Sequence, residues 1–288
     1  MPALTPRTVA SLAPLAAIVV FAAVVALIVV CGSPDREPVD ERWRELGVAE
    51  PEIVFLGDFS EEEQVLFLRE IQAAQVLFEE RFGIVTSDFT TYLSTTFNSV
   101  NAAYTRLYPG DQLYWFPCGG IATDNEIFVV IENCTGWGRA NEDVLAHEYF
   151  HILQSASGTS LRAIAPWKTW LVEGSADYAM ALHSEARGRT TMDERRFGAR
   201  YGWSDIGEPL PRETHIADLL EDDTWKLVYQ VGFLAADWLV ERAGEDSLLA
   251  FFSLGGDEAA FNEAFGMTLD EFHIAFEEHR LEVAPPFE

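Results

Sequence analysis

The distribution of apolar residues separates a hydrophobic N-terminal run from a long region in which apolar and polar positions alternate. Residues 12–31 (LAPLAAIVVFAAVVALIVVC) carry no charge over 20 positions, which is long enough to span a bilayer as a helix. The only cationic side chain before this run is Arg7, so the positive-inside tendency places the N-terminus in the cytoplasm. The pattern predicts an N-terminal transmembrane helix over 1–32, with the rest of the chain outside the cytoplasm.

Two other interpretations of this segment stay open. Cys31 closes the apolar run and is followed by Gly32 and Ser33, as in a lipoprotein signal, although Val30 is larger than the small residue expected before such a cysteine. A cleaved secretion signal is the third interpretation, but its apolar region is usually shorter than this run. All three place the folded domain outside the cytoplasm. The first two tie it to the cell membrane, as a single-pass or a lipid-anchored protein.

A polar stretch rich in proline follows the apolar run. Residues 33–51 predict a linker that ends in a short helix or turn. The folded domain is predicted to begin near Glu52 and to end near residue 284. Its first lobe, 52–156, has the pattern of an α/β arrangement, and its second lobe, 157–284, has a mainly helical pattern.

Short apolar runs and helical periods alternate in the first lobe. Three runs rich in β-branched and aromatic residues predict strands: EIVFLG, IVTSDFTTYLS and NEIFVVIEN. Between the first two, Ser60 predicts the start of a helix and Gly83 predicts its end. In the second lobe, Thr268 and Glu271 form a predicted capping box before the last helix. The predicted fold class is α+β, with a small mixed sheet followed by a mainly helical part.

Charge limits the kinds of partner that the protein attracts. The chain has 47 acidic against 19 basic residues, a formal net charge of −28. So negative a surface repels nucleic acid and anionic lipid headgroups. We therefore expect no nucleic-acid partner, and solubility alone is a sufficient reason for the excess of acids.

Cys118 and Cys134 lie 16 positions apart across a segment with the pattern of a hairpin. Outside the cytoplasm such a pair can form a disulfide. The alternative is two buried free thiols, because free cysteine often serves as a small core residue.

The segment HEYFH lies in a predicted helix that begins at Asn141. His147 and His151 are four residues apart, so they share one helix face and can offer imidazole nitrogens to one ion. Zn²⁺ suits such ligands and activates a water near neutral pH, and Glu148 can serve as the general base for that water. The alternative is a half-buried helix that carries two histidines without a metal.

A second predicted helix, beginning near Pro166, favours the metal hypothesis. Glu173 lies 22 positions after His151 and can complete a site with two histidines and one carboxylate. Asp177 lies one turn further along the same face, where it can accept a hydrogen bond from a ligand histidine. Ordinary helix carboxylates are the alternative for both residues.

HEYFH followed by WLVEGSADY resembles the gluzincin metallopeptidases, the superfamily of thermolysin and aminopeptidase N. The resemblance implies a peptidase-MA-like domain over about 52–283. It implies that His147, His151 and Glu173 are zinc ligands and that Glu148 is the base, with Asp177 behind a ligand histidine.

The same resemblance implies two further features. The strand before the motif helix is expected to form the sheet edge that binds an extended substrate, and the corresponding residues are Phe128, Val129, Val130 and Ile131. Gluzincins often stabilise the oxyanion with a tyrosine or histidine from the helical part. Tyr229 is the candidate here and His215 the alternative; a core tyrosine and a solvated loop histidine are the competing interpretations.

The sequence therefore predicts a membrane-anchored, extracytoplasmic zinc metallopeptidase that hydrolyses peptides or proteins. The alternative is a catalytically silent binding module that keeps the fold. The intact Glu148 favours the enzyme, because a binding module needs no base beside the metal.

Overall fold

The structure is a computed structural model that describes residues 39–111, 113, 119–131, 141–158, 160, 165–214 and 224–285. The predicted transmembrane segment lies outside these residues. Within them, no helix is both long enough and apolar enough to cross a membrane.

The first described element is helix α1 (Val39–Glu45), in the middle of the predicted linker. Trp43 is buried, and its indole Nε1 donates a hydrogen bond of 2.7 Å to Oε1 of Gln75 on the next helix. A buried tryptophan with a bonded indole N–H holds a short helix in place. The compact unit that contains this helix begins at Val39.

The long helix α2 (Glu61–Phe82) begins and ends where the sequence predicts. The Ser60 side chain accepts a hydrogen bond from the Glu63 backbone N–H, and the Glu63 carboxylate accepts one from the Ser60 backbone N–H. This reciprocal capping box satisfies two of the free N–H groups at the helix start. Gly83 ends the helix with φ of 68°, a left-handed conformation that glycine adopts without strain.

The described strands form one four-stranded mixed sheet in the order β1-β2-β4-β3. They are β1 (Glu52–Leu56), β2 (Thr90–Ser94), β3 (Gly119–Ala122) and β4 (Glu126–Val130). β1, β2 and β4 are parallel. β3 folds back antiparallel on β4, which confirms the hairpin pattern of this segment.

Strand β4 is central in the sheet and buried on both faces. Ile127 and Val129 belong to the large core, and Phe128 and Val130 belong to a smaller core that also contains residues of helix α3 (Phe97–Leu107). This alternation follows from the two-residue period of a strand.

The predicted substrate edge at Phe128, Val129, Val130 and Ile131 is therefore wrong. β2 and β3 cover both edges of β4, and Ile131, just beyond the strand, donates its backbone N–H to Ser94 O. The outer strand on this side of the described sheet is β3 (Gly119–Ala122).

The rest of the described chain is helical, as predicted. Its elements are α4 (Asn141–Ala156), a 3₁₀ turn (Pro166–Lys168), α5 (Thr169–Ala186), α6 (Met192–Ile206), α7 (Thr224–Lys226), a π-helical stretch (Leu227–Val231), α8 (Gly232–Ala243), α9 (Asp246–Ser253), α10 (Glu258–Phe265) and α11 (Leu269–Val283). The capping box of Thr268 and Glu271 starts α11, as predicted. The fold is thus α+β, mostly helical with a small mixed sheet.

Helix α5 is buried along most of its length, from Thr169 to Ser184. It crosses α8 at two glycines that leave the backbones in close contact. A Cβ on Gly174 would lie 2.2 Å from the carbonyl oxygen of Gly232, and a Cβ on Gly232 would lie 2.6 Å from the carbonyl oxygen of Trp170. Only glycine permits this approach.

Candidate metal centre

Helix α4 carries the HEYFH segment, and aromatic packing fixes its orientation about the helix axis. The Tyr149 ring stacks on Phe78 with a centroid distance of 5.9 Å. Its hydroxyl accepts a hydrogen bond from the backbone N–H of Thr86 and donates one to the Thr86 carbonyl. These contacts fix one side of α4, and the two histidines share another, with ring centroids 4.8 Å apart.

Helix α5 brings Glu173 to the two histidines. Pro166 opens the preceding 3₁₀ turn, where its missing N–H leaves no intrahelical bond unmade. The Thr169 hydroxyl donates a hydrogen bond of 2.8 Å to Thr214 O, which ties the helix start to a later segment. Glu173 then lies in the second turn, buried beside α4.

Three potential ligand atoms converge between α4 and α5. His147 Nε2 lies 3.1 Å from His151 Nε2. Glu173 Oε2 lies 3.3 Å from His147 Nε2 and 3.4 Å from His151 Nε2. Ligands placed about 2.0–2.1 Å from a shared tetrahedral Zn²⁺ stand about 3.3–3.4 Å apart. The buried group of His147, His151 and Glu173 can therefore hold a metal ion.

Each histidine has a polar partner on the side away from the ligand atoms. His147 Nδ1 lies 3.0 Å from Oδ1 of Asp177, where the sequence predicted it. His151 Nδ1 lies 2.8 Å from Oε1 of Gln154, whose amide donates hydrogen bonds to the Val172 carbonyl and to another α5 residue. A proton on each Nδ1, facing these partners, would leave the lone pair of each Nε2 for a metal.

The charges around the histidines favour a bound cation. Burial alone would lower the pKa of the His147 imidazole, but its contacts with Asp177 and Glu173 and the charge of Glu148 raise that pKa to about 10. For the Glu173 carboxyl, burial alone would raise the pKa, but the two imidazoles beside it lower that pKa. The cluster therefore attracts positive charge, as a proton or as a metal ion.

Glu148 lies directly against the edge strand. A Cβ on Gly120 would lie 2.6 Å from Glu148 Cγ and 2.8 Å from its Oε1, closer than real Cβ atoms approach. Glycine at this position lets β3 pass over the carboxylate. Glu148 is buried beside the ligand group, with the backbone of β3 next to it.

Tyr229 lies beside the centre, as the sequence predicted. Its ring centroid is 6.0 Å from that of His147, and the side chain is half-buried. It belongs to the π-helical stretch before α8, a geometry that occurs often at functional sites. The contact between Gly174 and Gly232 holds this stretch against α5.

Four of the remaining predicted site residues belong to strand β4 or follow it, and three lie outside the described residues. Phe128, Val129 and Val130 lie in the central strand, and Ile131 follows it. His215, Cys118 and Cys134 lie outside the described residues.

Two contributors had no place in the sequence prediction. Gln154 follows His151 by three residues on the same helix, so helical spacing was a usable signal for it. Gly120 acts through space from another element, and no sequence spacing connects it to Glu148.

Comparison with known proteins gives a distant structural likeness. No protein-family model matches the chain, and no curated protein does. An aminopeptidase N family protein from Idiomarina loihiensis is similar in structure, with a TM-score of 0.40 and 13% sequence identity. The match covers 81% of this chain and 40% of that protein. A TM-score below 0.5 establishes neither the fold family nor the activity of this chain.

Proposed function

We propose that the protein is a zinc metallopeptidase of the gluzincin type, with His147, His151 and Glu173 as metal ligands. The observation that carries the proposal is the convergence of three ligand atoms, 3.1, 3.3 and 3.4 Å apart, beside the buried carboxylate of Glu148. Two imidazoles and one carboxylate leave one tetrahedral position open, which is typical of catalytic rather than structural zinc sites.

The chain's own residues supply the proton transfers that peptide hydrolysis needs. Bound zinc contributes Lewis-acid chemistry, which polarises a carbonyl and makes water nucleophilic near neutral pH. Glu148 accepts the proton of the attacking water and passes it to the leaving amine. The hydroxyl of Tyr229 donates a hydrogen bond to the carbonyl oxygen as that oxygen becomes negative.

The proposed substrate is a peptide or an extended segment of a protein. Edge strands present backbone N–H and C=O groups to which another strand can add. β3 (Gly119–Ala122) is the outer strand next to Glu148. A substrate strand paired with β3 would place its own carbonyl groups close to the metal ligands.

The proposed location is the outer side of the cell membrane. Support comes from the uncharged run over 12–31 and from Arg7 before it. A lipid-anchored Cys31 gives the same location.

The full chain, purified in detergent, tests the proposal. Metal content is measured by elemental analysis in the wild type, Glu148→Gln and Glu173→Ala, and hydrolysis of a mixed peptide library is followed by mass spectrometry. We expect one zinc per chain in the wild type and in Glu148→Gln. Loss of the general base is expected to lower the cleavage rate by about 10²–10⁴-fold. Glu173→Ala is expected to lose both metal and activity.

The outcomes separate the two candidate functions. Zinc without cleavage in the wild type would favour the binding module. A chain that binds no metal, even after refolding with zinc supplied, would mean that HEYFH is a helix with two histidines.

A further inference from the structure

Asp177 is a fully buried carboxylate whose two oxygens contact two different helices. Its Oδ1 lies 3.0 Å from His147 Nδ1 on α4. Its Oδ2 accepts a hydrogen bond of 2.6 Å from Nη2 of Arg195 on α6. The Asp177 side chain is 0% exposed, so it lies between an imidazole of the metal centre and a guanidinium outside that centre.

Arg195 lies at the edge of the core, and its guanidinium extends inward to Asp177. Helix α6 begins with a capping box of Thr191 and Glu194, which puts Arg195 in its first turns. The guanidinium carbon lies 5.4 Å from the centroid of the Phe233 ring. The Arg195 side chain is 23% exposed, so water still solvates part of the cation that pairs with the buried anion.

A buried carboxylate needs partners for both oxygens, because removing one partner leaves an oxygen without water or a donor. Arg195 holds Oδ2 with a charge-assisted hydrogen bond, and Oδ1 is thereby aimed at His147. An imidazole that donates from Nδ1 keeps the lone pair of Nε2. That lone pair points to the side where Glu173 Oε2 lies 3.3 Å away.

We propose that Arg195 is a positioning residue of the metal centre, which acts through Asp177 to hold His147 in the tautomer and orientation of a metal ligand. The inference rests on the proposed metal site and deepens it. It adds helix α6 to the site, although no sequence motif on α6 indicates a role in metal binding.

The neighbouring Arg196 provides a matched control. It lies on the same helix and forms two hydrogen bonds of 2.8 Å with the carboxylate of Asp237. Asp237 is buried on α8, and neither of these two hydrogen bonds involves His147, His151 or Glu173. Arg195→Met removes the pair with Asp177, whereas Arg196→Met removes the pair with Asp237 and a second pair with the exposed Asp193. Only the first substitution removes a contact to the carboxylate beside His147.

The affinity of the full chain for Zn²⁺ is measured by competition with a chromophoric chelator. Arg195→Met is expected to weaken zinc binding about 10-fold, the lower end of the loss seen when the partner of a ligand histidine is removed, because Asp177 remains but is no longer held. Arg195→Lys, which keeps the charge, is expected to restore part of the affinity, and Arg196→Met to leave it unchanged. Substitution with Co²⁺ adds a spectroscopic readout, in which Arg195→Met alone alters the visible absorption bands.

A double-mutant cycle tests whether Arg195 acts through Asp177. Asp177→Asn removes the carboxylate that links Arg195 to His147. Adding Arg195→Met to Asp177→Asn is then expected to cause no further loss of zinc affinity, because coupled residues are not additive.

Three results would overturn the inference: unchanged zinc affinity in folded Arg195→Met, an equal loss in Arg196→Met, or additive losses in the cycle. A wild type that binds zinc and shows the expected cycle but cleaves no peptide would leave the inference standing and remove the proposed function. A wild type without zinc would remove both.

Discussion

The position of the Glu148 side chain depends on Gly120, a neighbouring residue that has no side chain. The backbone of Gly120 occupies the space beside its carboxylate, so the proposed base is packed against β3. Even one added methyl group would force the carboxylate or the strand to move. General-base catalysis depends on such placement, since an error of about 1 Å can cost about 10²-fold in rate.

Gly120→Ala is therefore expected to lower kcat/KM for peptide hydrolysis by about 10–100-fold while zinc content stays at the wild-type level. The three heavy atoms nearest to the new Cβ all belong to Glu148, with Cγ at 2.6 Å. The measurement is steady-state cleavage of the library peptide that the wild type cleaves fastest, together with elemental analysis. Gly198→Ala is the control, because no atom lies within 4 Å of its Cβ position. Full activity in Gly120→Ala would contradict the assigned role of Glu148.

The residues of the candidate metal centre could be found in the sequence because their spacing is local. His147 and His151 share a helix face, and Glu173 was found from a second local phrase, WLVEGSADY. Arg195 lies on a helix that packs onto the centre from elsewhere in the chain. Side-chain pairs formed only by tertiary packing leave no periodic signal, so sequence spacing could not connect Arg195 to its carboxylate.

Among the helices, the crossing of α5 and α8 determines the distance between Glu173 and Tyr229. Gly174 follows Glu173 directly, and Gly232 follows Tyr229 by three residues. Their backbone contact presses the π-helical stretch against α5. Both glycines lower intrinsic helix stability. The packing between the two helices at the close crossing offsets this cost.

Gly232→Ala is expected to destabilise the fold by about 1–3 kcal/mol through overpacking. In a helix without this contact, the same change would stabilise the helix by about 1 kcal/mol. A loss of stability would therefore identify overpacking at the crossing as the cause. Urea unfolding of the wild type and the variant measures the difference. The displacement of Tyr229 is also expected to lower kcat at unchanged zinc content. A Gly232→Ala protein more stable than the wild type would show that the crossing adapts without strain.

Element boundaries were predicted well where short-range capping decides them. Ser60, Gly83 and Thr268 mark helix ends in both sequence and structure. The order of strands was not predicted, because pairing across the sheet is non-local. The short strand β3 has the sequence GGIA, with little β propensity, and its role as the outer strand depends on folding back along β4.

At the scale of the whole molecule, the chain has 47 acidic and 19 basic residues, an excess of 28 acids. Arginines already pair with buried acids, as Arg195 does with Asp177 and Arg196 with Asp237. Most of the other carboxylates therefore repel one another across the surface. Such self-repulsion destabilises the compact state at low ionic strength.

Stability is therefore expected to rise with salt, because the screening length falls from about 10 Å at 0.1 M to about 3 Å at 1 M. The urea midpoint of the full chain, measured from low salt to 1 M NaCl, should increase without a change in the slope m.

Glu278 and Glu282 provide the matched variant for this measurement. Both are exposed, four residues apart in the last turns of α11, where like charges repel and the helix dipole disfavours acids. The double substitution Glu278→Gln with Glu282→Gln is expected to raise the midpoint at low salt and to reduce its salt dependence. A midpoint that falls with salt in both proteins would mean that attractive ion pairs outweigh the repulsion of the excess carboxylates.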